Sequence, residues 1–398
     1  MIRRDLEAVL KKVAQQYPVV TLTGPRQSGK TTLVQATFPE HGYASLEEPD
    51  VRAFALEDPR GFLGQFTGGV ILDEVQRVPD LFSYIQTIVD REDAPGRYIL
   101  SGSQNFLLLR SISQSLAGRS AILHLLPLSL GELQAREPFP LEKLGHELPE
   151  RRPAHPSDVM DVLLRGFYPR IHDKDLDPST WYSGYYQTYV ERDVREIVNV
   201  GDLESFGRFV RLCAGRTGQL LNLSSLASDC GITHTTAGRW ISILEASFLV
   251  FLLRPYHANF GKRLIKSPKL YFLDTGLLCY LLRIHSPEDL RLHGSRGPIF
   301  ESFVVSELLK NFLHRGQEPD LYFWRDSTGH EIDALIDQGD ARVAIEVKSA
   351  QTVASDFFAG IDFWRNLVGD PEAPAALIYG GDRSYQRHGA SVLSWSVL

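Results

Sequence analysis

Eight residues near the start of the chain, Gly24, Pro25, Arg26, Gln27, Ser28, Gly29, Lys30 and Thr31, fit the spacing G-x-x-x-x-G-K-[ST] at every fixed position. An apolar run, Val19-Val20-Thr21-Leu22, leads into them, and a helix-like segment opens at Thr32. That strand–loop–helix setting separates a phosphate-binding loop from a chance match. The two glycines let the backbone curl so that successive N–H groups converge on phosphate oxygens. Lys30 then reaches the outer phosphates, and the Thr31 hydroxyl holds Mg²⁺. A helix starting near Gly29 adds its positive end to the same anion site. Gly24 through Thr32 are therefore the candidate residues for a nucleoside triphosphate, with ATP and Mg²⁺ the expected ligands.

A second chemical signal lies about forty residues on, where Gly69-Val70-Ile71-Leu72 ends in Asp73-Glu74. Two carboxylates at the carboxyl end of an apolar strand sit where open α/β sheets bind ligands. Asp73 is the candidate for the Mg²⁺ shell, and Glu74 for orienting and deprotonating an attacking water. Without the phosphate loop, such a pair reads as a solvated strand end. A third apolar run, Arg97-Tyr98-Ile99-Leu100, ends in Ser101-Gly102-Ser103-Gln104-Asn105. Gln104 and Asn105 are candidates to touch the γ-phosphate and its water, with Ser103 behind them; the plain alternative is a polar turn whose serines cap the next helix. Arg119, following Gly118, is a candidate arginine finger, used in cis or inserted into a neighbouring copy. Its alternative is an exposed surface arginine.

Apolar strand-like runs alternate with helical segments through residue 125, which predicts a parallel sheet covered on both faces. Together GPRQSGKTTL, VILDEVQ, YILSGSQ and SLAGRSAILHLLPLSLGEL resemble the AAA+-type P-loop ATPases of bacteria and archaea that carry a C-terminal domain of unknown function. The resemblance covers essentially the whole chain. It implies roles for Lys30 and Thr31 at the nucleotide and Mg²⁺, for Asp73 and Glu74 as the acidic pair, for Arg119 as the finger, and an action on or near DNA.

Glu137 to Asp158 holds five prolines amid charges and reads as a linker or exposed loop. The helix expected after it carries Trp181, Tyr185, Tyr186 and Tyr189, a stripe whose spacing favours packing over base stacking. Next, Ser224 to Gly231 and a helix capped by Thr233 have helix-turn-helix spacing. From Phe248 to Phe272 no acidic residue occurs, while Arg254, Lys262, Arg263, Lys266 and Lys269 do. Apolar runs flank this basic loop like strands around a wing. With Arg239 on the second helix, these are the candidate DNA-backbone residues of a winged helix. The alternative use of such a module is subunit packing.

From Pro298 the α/β pattern returns. Asp333, Glu346 and Lys348 have the spacing D-x₁₂-E-x-K, and Glu301 lies on the preceding helix. This resembles the PD-(D/E)xK nuclease fold in its αβββαβ order, with Ile332 where the motif's name has proline. The resemblance implies a Mg²⁺ held by Glu301, Asp333 and Glu346 to activate water against a phosphodiester, with Lys348 beside it. The alternative is a retained fold without cleavage.

The expected fold class is α/β. A P-loop sheet domain at 1–136 and a linker at 137–158 precede an α-rich winged-helix domain at 159–290 and a small restriction-endonuclease-like α/β domain at 291–398. A net charge of −7 argues against a uniformly basic nucleic-acid coat. Three scattered cysteines fit no metal spacing, no signal-peptide pattern is evident, and no run approaches the ~18 apolar residues of a membrane span. The expectation is a cytoplasmic, membrane-free protein that forms a homo-oligomer if Arg119 acts in trans. Two functions stay open: an ATPase acting on DNA, or a nucleotide-gated DNA-binding switch or scaffold with little turnover and an inactive nuclease fold.

Overall fold

The structure is a computed structural model describing residues 2–92, 94–103, 115–148, 158–194, 203–256 and 266–398, with side chains at 191–194 and 203 outside the description. The chain divides into two compact units. One comprises Met1–Leu128 with Ala246–Phe248 and Phe312–Gln317; the other holds the remainder.

The first unit is built on five parallel strands, β1 (Val19–Thr23), β2 (Gly42–Ser45), β3 (Val70–Asp73), β4 (Tyr98–Gly102) and β5 (Ser120–His124), in the order β2-β3-β4-β1-β5. Pairing puts Leu100 of β4 between Leu72 of β3 and Thr21 of β1. Period-two alternation sends neighbouring side chains to opposite faces, and both faces are apolar. Val19, Val70, Leu72, Tyr98 and Leu100 pack with Phe62, Phe82 and Ile85 of the helices α4 (Pro59–Gly64) and α5 (Leu81–Glu92). Val20, Leu22, Ile71, Ile99 and Leu123 face the other way, against Leu6 and Leu10 of α1 (Leu6–Ala14) and Leu33 and Val34 of α2 (Lys30–Thr37). Such doubly buried strands are what a parallel sheet requires.

The second unit begins with short helices and a buried aromatic cluster. Of the expected stripe, Tyr185, Tyr186 and Tyr189 are buried and Trp181 is half-buried; Tyr182 beside them is buried as well. Tyr182 Oη donates to Asp274 Oδ1 at 2.7 Å, while Asp274 also accepts from the Phe167 and Leu277 N–H groups and caps the helix Thr275–Leu281. A Cβ on Gly166 would lie 2.0 Å from Tyr182 Oη, and one on Gly276 2.4 Å from it.

The helices Leu203–Gly215, Leu223–Cys230 and His234–Ala246 lead into a three-stranded sheet, β6 (Gln219–Leu220), β8 (Lys269–Phe272) and β7 (Val250–Leu253). Thr233 Oγ1 accepts from Thr236 N, capping the last of these helices as expected. The C-terminal part has the long helix Arg296–Leu313 and six strands: β9 (Leu321–Arg325), β10 (Glu331–Asp337), β11 (Arg342–Lys348), β12 (Ala375–Tyr379), β13 (Tyr385–Arg387) and β14 (Ala390–Ser394). β9, β10 and β11 pair antiparallel, and β11, β12 and β14 parallel. The helix Ala359–Val368 packs Ile361 and Trp364 against this sheet. Sequence patterning missed β13 and β14.

Candidate nucleotide site and the acidic cluster of the last sheet

The phosphate loop leaves the carboxyl end of β1 and turns into α2 at Gly29, which adopts φ 92° as the helix's N-cap. Gln27 is also left-handed at φ 65°, a conformation that costs a side-chain-bearing residue energy and recurs at ligand-binding turns. Gly24 and Pro25 are buried, Arg26 and Thr31 half-buried, and Gln27 and Thr32 exposed. A Cβ at Gly24 would lie 2.1 Å from the Leu125 carbonyl oxygen, so only glycine lets the loop pass this close to the chain leaving β5.

Lys30 folds over the loop, donating to the carbonyls of Gly24 at 2.9 Å and Pro25 at 2.8 Å. Burial pulls its pKa down to about 8, against the opposing pull of Glu74 and Asp73. The Ser28 hydroxyl is buried with no hydrogen-bond partner among the described residues. An unmet buried donor beside a loop of backbone N–H groups suits a phosphate oxygen.

Asp73 ends β3 level with the loop. Its Oδ2 accepts from Thr31 Oγ1 at 2.8 Å and from Tyr43 Oη at 3.1 Å, and its Oδ1 accepts from the Glu74 N–H and from Ser101 Oγ on β4. Burial, and then Asp73, push the Tyr43 phenol up to about 12. Glu74 sits at φ 52°, its carboxylate accepting from Ser103 Oγ at 3.1 Å and from the Gln76 amide. The expected pair is thus at the sheet's carboxyl edge with Lys30 and Thr31. Thr31 and Asp73 meet as two hard oxygen ligands, the donor type Mg²⁺ takes.

Three residues here escaped the sequence reading. Ser101 and Tyr43 hold Asp73; Ser101 stood out only as a possible helix cap. Arg4, before α1, donates to the carbonyls of Ser28 at 2.6 Å and Leu126 at 2.7 Å and is 6% exposed. No short-range pattern links an arginine to a loop 24 residues away. Gln104 and Asn105 lie outside the described residues.

Arg119 is not part of this chain's own nucleotide site. It precedes β5, whose Ser120 pairs with Val19 at the amino end of β1, whereas the phosphate loop leaves the carboxyl end. The intervening strand spans about 13 Å. Arg119 instead forks onto Asp90 of α5. Use in cis is excluded by this topology.

In the second unit Arg239, Arg254 and Lys266 are exposed, while Lys262 and Arg263 lie outside the described residues. The basic loop begins pinned, with Phe323 of β9 exchanging backbone hydrogen bonds with Arg254 and Tyr256. Lys269 is a correction. It lies in β8, its side chain 3% exposed, paired with Glu301 and Glu331. A buried lysine held by two half-buried carboxylates offers nothing to a phosphate backbone.

Asp333 and Glu346 come together as expected from neighbouring positions on β10 and β11. Lys348 Nζ lies 2.7 Å from Glu346 and 3.6 Å from Asp333, and Asp333 Oδ2 accepts from the Val347 N–H at 2.9 Å. Burial, then Asp333, raise Glu346 to about 8; burial opposes the charge of Lys348, but Asp333 and Glu346 overcome it and hold its pKa at about 12. Glu301 does not complete a metal set with them. It accepts from Lys269 at 3.0 Å and Tyr271 Oη at 2.6 Å, and among the described residues no group of three or more His, Cys, Asp or Glu is arranged to hold a metal. No helix of the described residues is long and apolar enough to cross a membrane.

Comparison with known proteins finds three family matches along the chain. An AAA domain family matches residues 16–134, and two domains of unknown function, DUF8612 and DUF4143, match 156–288 and 296–398. The uncharacterized proteins Mb2031c of Mycobacterium bovis and Rv2008c of Mycobacterium tuberculosis are each 33% identical over 355 residues, 88% of this chain and 74% of theirs. The uncharacterized protein MJ1544 of Methanocaldococcus jannaschii is 22% identical over 84% of this chain and 75% of its own. Among solved structures, the Walker-type ATPase PABY2304 of Pyrococcus abyssi aligns with 71% of this chain and 96% of its own at 14% identity and a TM-score of 0.42.

Proposed function

We infer that this chain, which belongs to the family of the mycobacterial proteins Mb2031c and Rv2008c, is a Mg²⁺-dependent ATPase that acts on DNA. The observation that carries the reading is the contact of the Thr31 hydroxyl with Asp73, 2.8 Å apart at the mouth of a glycine loop. Gly24 through Thr32 would hold the phosphates, and Thr31 with Asp73 the metal. Bound Mg²⁺ would neutralise charge on the phosphates. Lys30 would leave the carbonyls of Gly24 and Pro25 for the phosphate oxygens, and Ser28 would find its missing partner. Glu74 would accept a proton from water after release from Ser103 and Gln76, with Gln104 and Asn105 as further candidates to touch the γ-phosphate and its water. Arg119 would serve a neighbouring copy, which makes the active form a homo-oligomer.

The DNA part rests on the helix pair Leu223–Cys230 and His234–Ala246 and the β7–β8 pair, read as a winged helix. Its exposed Arg239, Arg254 and Lys266, with Lys262 and Arg263, would meet the phosphate backbone. The last sheet is read as a nuclease-like fold. Lys269 among its carboxylates favours a domain that does not cleave, and so the second reading's inactive fold.

Phosphate release with and without duplex DNA tests both parts. Lys30→Ala loses nucleotide binding and turnover. Glu74→Gln keeps binding but turns over about 10²–10⁴-fold more slowly, the range for losing a general base. Wild-type rates from either variant sink the ATPase assignment. Duplex DNA that neither binds in a salt-dependent way nor changes the rate sinks the DNA part.

A further inference from the structure

The carboxylates of the last sheet already have their cations. Glu301 on the helix Arg296–Leu313, Glu331 and Asp333 on β10, and Glu346 on β11 face two ammonium groups and a guanidinium. Lys348 serves Glu346 and Asp333, and Arg325 reaches Glu331 at 2.9 Å. The deeper ammonium comes from another sheet. Lys269 of β8 sits 3.0 Å from Glu301 Oε1 and pairs with Glu331. Tyr271, on the same face of β8, donates to the same Glu301 oxygen.

We propose that Lys269 is a built-in cation standing where the nuclease-like fold would hold a divalent metal, so that this cluster is a metal-free structural joint between β8 and the last sheet. The inference rests on the nuclease-like reading of the last domain and is independent of the nucleotide site. A divalent ion needs several oxygens at about 2.1 Å. Here one Glu301 oxygen is spent on two donors, Glu331 is shared by two cations, and an Asp333 oxygen is spent on the Val347 N–H. A metal would also stand beside a buried ammonium of like charge. Lysine's compact ammonium makes it an apt substitute for a small cation.

The full chain, free of nucleotide, is compared with Mn²⁺ and with EDTA as wild type, Asp333→Asn, Lys269→Met, and the double variant. Wild type and Asp333→Asn bind the same number of Mn²⁺ ions and melt with the same Mn²⁺ response. Lys269→Met, which keeps an unbranched apolar stem but removes the ammonium that lies over the Phe323 ring, gains a Mn²⁺-dependent rise of about 5 °C or more, as ligand present well above its Kd produces, and the double variant loses it. The proposal is overturned if Asp333→Asn removes a Mn²⁺ ion from the wild type, or if folded Lys269→Met gains no response that depends on Asp333. Should Lys269→Met fail to fold, the Mn²⁺ count of wild type against Asp333→Asn decides alone. Loss of ATP turnover in phosphate-loop variants has no bearing on any of these readings.

Discussion

Replacing Arg4 with methionine tests how the phosphate loop is held. The guanidinium joins the Ser28 carbonyl in the loop to the Leu126 carbonyl beyond β5, at 2.6 and 2.7 Å, in a nearly dry setting. Methionine keeps much of the stem's volume but donates nothing, leaving two carbonyls without these partners. A buried group left unsatisfied costs about 1–3 kcal/mol. Two such losses, partly relieved because the arginine no longer has to be buried as a charge, come to about 3 kcal/mol. For a unit of this size that is roughly 6–12 °C in melting temperature. Because Ser28 belongs to the loop, part of the loss appears as weaker nucleotide binding, about tenfold for each 1.4 kcal/mol. Thermal unfolding and titration with a slowly hydrolysed ATP analogue measure the two parts. Arg4→Lys, able to reach one carbonyl, falls between. An Arg4→Met protein that melts within about 2 °C of wild type and binds nucleotide unchanged refutes the clamp.

The pH dependence of nucleotide binding follows from Lys30, whose pKa burial lowers from 10.5 to about 8. Since the folded value lies below the unfolded one, the charged lysine weighs against the fold below pH 8, and that cost is relieved as the pH rises towards 10.5. Phosphates favour the charged form, so affinity is flat below pH 8 and falls above it, by at most tenfold per pH unit. Calorimetry in buffers of different ionisation enthalpy then detects proton uptake on binding near pH 9; no uptake refutes the assignment. Gly24→Ala places a methyl 2.1 Å from the Leu125 carbonyl oxygen, a backbone atom that cannot swing away. The expected result is nucleotide binding weakened more than tenfold; affinity within twofold of wild type would show that the loop does not need this close approach.

The nucleotide site was legible because its residues are neighbours in sequence or end recognisable strands. Gly24 to Thr31 carry their geometry locally, and Val70 to Leu72 is apolar on both faces because both faces are covered. What stayed hidden was long-range. Arg4 and Tyr43 reach the site only through the sheet's order, and a serine such as Ser101 looks the same whether it caps a helix or binds a carboxylate. Lys269 misled for a physical reason. In a run without acidic residues, a lysine reads as solvated, because its partners Glu301 and Glu331 are 32 and 62 positions downstream, beyond any local pattern. The strands around it were recognised from their apolar residues, yet strand register turned the lysine inward. Strands β13 and β14 were missed because Tyr385-Gln386-Arg387 alternates weakly and a His388-Gly389 turn interrupts the hairpin.

The phenol of Tyr182 occupies space that two glycines, 110 positions apart, leave open, and it bonds to the aspartate that caps the following helix. Gly166, Tyr182, Asp274 and Gly276 are therefore inherited as one unit. Enlarging either glycine is ruinous while the tyrosine stands, and trimming the tyrosine first makes room for Gly276 to drift. The order of substitutions, rather than their number, decides which sequences lineages of this protein can reach. A descendant that has lost Tyr182 becomes free to fill Gly276, while Gly166, at φ 66° and with a Cβ 2.9 Å from the Gly276 nitrogen, stays glycine; once Gly276 is filled the tyrosine cannot return.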